Sequence, residues 1–232
     1  DHYRTGVEIL TALRELLAPP STASAYRERQ DFQRRYREAA LRLMAPIVGH
    51  RLALNDAQHN GFLAELYSDL DGFRLPLIAV QELHGAWQRY EQGTHLAVLG
   101  RKLHPFYGTY APTRTSHLEL FATWLSQYSG PKDSAVDVGT GCGVLAFMLA
   151  KSGFSKVVAT DINPNAIESV ERELQRMTTP IDLDLQCTDL IQDDTEADLV
   201  VFNPPWVQGD IDDLLDRALH YNDDLFERFF ER

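Results

Sequence analysis

Cysteine is scarce in this sequence, long apolar runs are absent, and the histidines do not fall in metal-ligand order. Each shortage removes a class of protein. Two cysteines in 232 residues, Cys142 and Cys187, exclude a disulfide framework and a four-cysteine zinc site, and they fit a reducing, cytoplasmic compartment. The longest apolar runs, such as Val144 to Ala150, are far short of the ~20 residues of a membrane-crossing helix, so no membrane partner is expected. None of the eight histidines stands in an H-x-x-x-H pair, and no Ser-His-Asp arrangement can be deduced, so no metal is expected. Repeats and low-complexity tracts are missing too. The chain opens Asp1-His2-Tyr3 without a signal peptide; the expectation is that its start was removed or that it is part of a longer protein.

What is present is a globular composition, 44% hydrophobic and 24% charged. At roughly 100–200 residues per domain, this length predicts one domain and a smaller companion. The net charge of -12 is unevenly spread. Residues 1–110 hold 13 Lys+Arg and 12 Asp+Glu, whereas residues 111–232 hold 9 and 22. The acidic half repels a phosphate backbone, which would have to dock on the first half. The one basic cluster there, Arg27 to Arg42, is interrupted by Glu28, Asp31 and Glu38 and reads as a solvated helix face before an RNA-docking stripe.

Residues 1–93 read as a helical N-terminal domain for substrate recognition. Val7, Leu10 and Leu13 recur at helical spacing until Pro19-Pro20. Phe32, Tyr36, Ala39, Leu43 and Ile47 form one stripe, with Pro46 kinking or ending that helix. Two more helices are expected near 56–70 and 76–91, with Asp71-Gly72 between them. Together they suggest a small four-helix bundle. Residues 94–115 form an aromatic bridging segment, read either as a linker packed by its own rings or as a lid. In the third domain, 116–232, a helix near 116–128 is followed by β-branched runs alternating with helices: Ala135–Val138, Lys156–Thr160, Ile181–Cys187 and Leu199–Phe202. That order predicts an α/β fold with a doubly wound, mostly parallel, Rossmann-like sheet. The third run alternates apolar and polar residues, which assigns it to a sheet edge.

The chemistry-bearing motifs fall at the ends of these runs. Asp137-Val138-Gly139-Thr140-Gly141-Cys142-Gly143 joins the first run to a helix. Its glycines allow a sharp turn and bring a ligand to the helix N-terminus. The spacing is G-x-G-x-G, one residue short of the dinucleotide fingerprint, and Asp137 would repel a pyrophosphate but suit an amino group. Asp161 ends the second run, where an acid can accept from ribose hydroxyls. Asp189 follows the third, where it could accept from an adenine amino group. Taken alone, each acid reads as a solvated loop residue or cap; their shared position at strand C-terminal ends reverses that judgement. Asn203-Pro204-Pro205-Trp206 follows the fourth. The prolines fix the Pro204 carbonyl, which with the Asn203 side-chain oxygen makes two acceptors for one –NH2 group, and Trp206 adds a flat face. Two such acceptors localise the lone pair of a planar amide or aromatic amine for attack.

These residues resemble the motifs of class I S-adenosylmethionine-dependent methyltransferases, in the small-domain branch with an Asn-Pro-Pro-aromatic tetrapeptide (HemK/PrmC type). The resemblance covers about residues 104–232. It implies that Asp137, Gly139, Thr140, Gly141 and Gly143 cradle the methionine end of S-adenosyl-L-methionine. Asp161 and Ile162 would then take the ribose, and Asp189 and Leu190 the adenine. Asn203, which also borders the cofactor, with Pro204, Pro205 and Trp206 would take the acceptor nitrogen, and Phe106, Tyr110, Thr113 and Arg114 would form the substrate-side lid. The implied reaction is methylation of a planar nitrogen, first a protein glutamine amide and otherwise a ribosomal-RNA base or small-molecule amine. The macromolecular partner is thus a protein before an RNA. A nicotinamide-dependent oxidoreductase and a non-catalytic cofactor-binding module are the readings from other classes. Trp206 stands where Tyr or Phe is commoner, and Pro112-Thr113-Arg114-Thr115 departs from the I-P-R-P signature. The family's sheet has seven strands, so its closing strands are expected to lie beyond Arg232.

Overall fold

The computed structural model describes residues 2–19, 26–112, 114–178, 180–192, 195–205, 207–208, 220–221 and 224–231. They divide into two compact units, Asp1–Gln88 and Arg89–Arg232. No helix among the described residues is long and apolar enough to cross a membrane.

The first unit differs from a four-helix bundle. Helices α1 (Tyr3–Leu17), α2 (Tyr26–Ala40) and α4 (Leu77–Gln92) stand near the expected positions, but α3 covers only Phe62–Leu66. Between them lies a three-stranded antiparallel sheet, β1 (Met44–Val48), β2 (Arg51–Leu52) and β3 (Gly72–Pro76), in the order β2-β1-β3. The helical stripe from Phe32 therefore stops at Ala40. From there the period changes to two: Ala45 and Ile47 are buried while Met44 and Val48 are exposed. Pro46 cannot donate to a helical ladder, and β1 finds its partner 28 residues on, with Val48 opposite Gly72 and Met44 opposite Pro76.

The second unit opens with a hairpin, β4 (Thr94–Leu96) and β5 (Arg101–Leu103), and helix α5 (Ser116–Gln127). The sheet follows: β6 (Ser134–Val138), α6 (Val144–Lys151), β7 (Lys156–Asp161), α7 (Pro164–Gln175), β8 (Leu183–Cys187) and β9 (Leu199–Phe202). Its order is β8-β7-β6-β9, all parallel. The alternating run is thus an edge strand, as its wet face predicts, and β6 and β7 are the interior strands, buried on both faces. Both faces are covered. Ala135, Val157, Ala159 and Leu183 pack with α5, α6 and α7 on one side, and Val136, Val138 and Val158 with Leu190, Ile191 and α8 (Leu225–Glu231) on the other. The doubly wound α/β fold is therefore as expected. A short parallel pair, β10 (Val207–Gln208) and β11 (His220–Tyr221), completes the described backbone.

Candidate active site

Parallel pairing brings the C-terminal ends of four strands to one edge. Val138 lies opposite Thr160 on one side and Phe202 on the other, and Asp161 lies opposite Cys187. The residues that follow form adjacent loops, which is where open α/β sheets bind ligands.

Asp137 is 0% exposed and faces α6. Its Oδ2 accepts from the Thr140 hydroxyl at 2.7 Å and the Ala146 N–H at 2.9 Å. Its Oδ1 is buried without a protein partner among the described residues, an expensive arrangement unless a ligand donor meets it. Burial pushes the carboxyl up to about 7 against the pull of those hydrogen bonds, and the charge of Asp161 adds to the rise. The glycine loop turns over this carboxyl. Gly141 and Gly143 have φ of 53° and 83°, a region that costs other residues strain. At Gly143 a Cβ would also stand 2.9 Å from both Phe147 and Val170. Burial pushes the Cys142 thiol up to about 12, leaving it a packing residue.

Asp161 is tied to the loop: its Oδ2 accepts from Gly141 N–H and its Oδ1 from Asn163 N–H, both at 2.9 Å. Burial nevertheless raises its pKa. Ile162 is 46% exposed beside it. Asp189 forms an ion pair with Arg228 of α8, and Leu190 takes a positive φ of 60° with a buried side chain. Asn203, Pro204 and Pro205 follow β9 half-buried, next to Gly139, whose Cβ would touch the Phe202 ring at 3.5 Å. Trp206 and Thr113 lie outside the described residues.

The bridging segment has more structure than its composition implies. After β5 it runs along α7. His104 donates its N–H to Glu173, Phe106 N–H donates to the Ser169 hydroxyl, and the Thr109 hydroxyl donates to the Asn165 carbonyl. Phe106 is buried beneath the Arg172 guanidinium, 4.3 Å from its ring centroid. The half-buried Tyr110 brings its carbonyl oxygen to 3.5 Å from where a Gly141 Cβ would stand, and Arg114 is exposed. Sequence reasoning missed Asn163, Ser169, Glu173 and Arg228 as parts of this assembly. The available signal was Glu173, a charge on the stripe Ala166, Ser169, Val170, Glu173 that α7 buries.

Fold and site together define a class: a doubly wound α/β domain with a glycine-loop ligand site at the strand ends. Residues 118–221 match the family model of the methyltransferase small domain, a domain type whose methyl donor is S-adenosylmethionine. The chain is similar to the protein named ribosomal protein L11 methyltransferase of Symbiobacterium thermophilum, with 35% identity over 96 residues, which is 41% of this chain and 30% of that protein. The protein of that name from Listeria monocytogenes serotype 4b is 30% identical over 120 residues, 51% of this chain and 37% of its own length. The one from Nitrosomonas europaea is 48% identical over 48 residues, 21% and 15% of the two chains. The chain thus matches at most 37% of the length of these curated relatives.

Proposed function

We propose that the chain is an S-adenosylmethionine-dependent methyltransferase that methylates a planar nitrogen of a protein, with a glutamine side-chain amide as the acceptor its residues suit. One observation carries this reading: the buried Asp137 Oδ1, without a protein partner among the described residues, lies under a positive-φ glycine loop at the strand ends. An amino group is the donor that this oxygen calls for, and Asp137, Gly139, Thr140, Gly141 and Gly143 would hold the methionine end of the cofactor. The Asp161 oxygens accept from Gly141 and Asn163, with the Ile162 N–H also close to the carboxyl, and this carboxylate would take the ribose hydroxyls beside Ile162. Asp189, whose Oδ2 meets Arg228, would offer its Oδ1 to the adenine amino group, next to Leu190. These residues fit the cofactor, which supplies an electrophilic methyl on a sulfonium centre.

Asn203 and the Pro204 carbonyl would accept the two N–H bonds of the methyl acceptor, with Pro205 fixing the loop and Trp206 stacking on the planar group. Such an acceptor loses a proton only as it alkylates, so no strong base is needed. The backbone at Tyr110, anchored through Phe106, would serve as the lid, and Thr113 and Arg114, next in sequence, would face the substrate. The relatives' name supports a protein acceptor, and so does the charge of the second unit, 12 basic against 23 acidic residues. Residues 1–93 would dock that protein. A cytoplasmic location fits the two unpaired thiols.

The test is methyl transfer from labelled cofactor into a cell extract, with Asn203→Ala as the blank and the product split between protease and ribonuclease. Label released by protease and recovered as methylglutamine supports the proposal. Label released by ribonuclease, or confined to small molecules, contradicts the acceptor. No label despite cofactor binding contradicts the activity.

A further inference from the structure

Asn163 stands where two requirements meet. Its Oδ1 accepts from Asn165 N–H at 3.0 Å and so caps α7, a task that Ser, Thr or Asp performs equally well. Its Nδ2, an atom separate from the capping oxygen, donates to the Gly108 carbonyl at 2.9 Å; Asp has no such donor in its usual protonation state, and a Ser or Thr hydroxyl ends one bond short of the Nδ2 position. The side chain is 6% exposed, and burial makes an unpaired amide costly. Capping therefore does not explain the amide, whereas holding the strap does.

The contacts close a ring around Asp161. The Asn163 N–H donates to Asp161 Oδ1, and Gly141 N–H donates to Oδ2. Above Gly141 passes the Tyr110 carbonyl, two residues from the Gly108 carbonyl that Asn163 holds. Gly108 has φ of 69° inside a turn closed by Thr109 N–H on the Phe106 carbonyl at 3.1 Å. That turn aims its carbonyl at α7. We infer that Asn163 is a positioning residue that fixes the strap over the glycine loop and so sets the opening in which Asp161 meets the ribose. The inference rests on the cofactor reading above, and it assigns Asn163 a part in cofactor binding without contact with the cofactor.

The test compares Asn163→Ser and Asn163→Asp with the unaltered chain. Both substitutions keep the cap and remove the Nδ2 donor to Gly108: Asp leaves no donor, and Ser leaves only a hydroxyl one bond shorter. Hydrogen exchange at Phe106 and Thr109 without ligand is expected to quicken by roughly 3- to 10-fold, the worth of one hydrogen bond. Calorimetric affinity for S-adenosylmethionine is expected to fall by a similar factor, with the melting temperature lowered less than in Asn163→Ala. Asn163→Ala, which also loses the cap, is expected to melt lower. Wild-type exchange rates in the Ser and Asp variants, or unchanged affinity, would overturn the inference and leave Asn163 a cap. An unaltered chain that fails to bind S-adenosylmethionine would overturn the cofactor reading instead, and strap exchange would still report whether Asn163 holds Gly108.

Discussion

Two residues separate binding from chemistry. Asn203 is assigned to the acceptor nitrogen, so Asn203→Ala is expected to leave S-adenosylmethionine affinity near that of the unaltered chain. Turnover should drop at least ~10-fold, the low end for a transition-state hydrogen bond; equal loss in titration and rate assays would make Asn203 structural. Asp137 makes a pH-dependent contribution whose sign is fixed by its burial. The folded unit holds a proton up to about 7 that the unfolded chain gives up near 3.8. Its contribution is therefore intact below about pH 4, and it declines as the pH rises to 7, because the unfolded state then binds fewer protons. Asp137→Asn keeps an acceptor for Thr140 and Ala146 and is expected to flatten this slope in denaturant titrations without ligand. The same substitution should weaken cofactor binding, since the amide lacks the charge that meets an amino group. An unaltered slope would contradict the assignment of the buried proton.

At the scale of elements, the parallel sheet and its loops were legible in the sequence, and the first unit was only partly so. Short Val-containing runs at β6 and β7 alternating with helices point to buried parallel strands, and the loops follow directly from them. The antiparallel sheet was hidden because Leu43 and Ile47 extend the helical spacing of Phe32, Tyr36 and Ala39, while the pairing of β1 with β3 is nonlocal. Pro46 was the clue, read as kinking or ending a helix, whereas it lies within β1. The strap was also illegible, because its partners Ser169 and Glu173 are polar and look solvent-facing until α7 buries them. Glu173 is 1% exposed and accepts from Arg101 as well as His104. Glu173→Gln is expected to cost roughly 1–3 kcal/mol in chemical denaturation, below the full penalty for a buried pair because Arg101 is 30% exposed. Gly143→Ala combines a positive φ with two side chains at 2.9 Å. It is expected to cost about 2–4 kcal/mol, from strain and overpacking together, and a near-neutral result would show that α6 can shift.

For the whole molecule, the cofactor reading makes the second unit a ligand-stabilised domain. S-adenosylmethionine at about 100 times its Kd is expected to add ~2.7 kcal/mol of stability, seen as a higher melting temperature. The acidic balance of that unit lets a cationic ligand approach and disfavours nucleic acid. The central claim is that S-adenosylmethionine binds at the strand ends, with its ribose on Asp161. Calorimetric titration of S-adenosylmethionine into the unaltered chain and into Asp161→Ala tests it most directly. The account predicts saturable one-to-one binding that Asp161→Ala weakens by ~1.5–3 kcal/mol, the scale of charge-assisted hydrogen bonds. No binding to the unaltered chain, or equal affinity in both proteins, would contradict it.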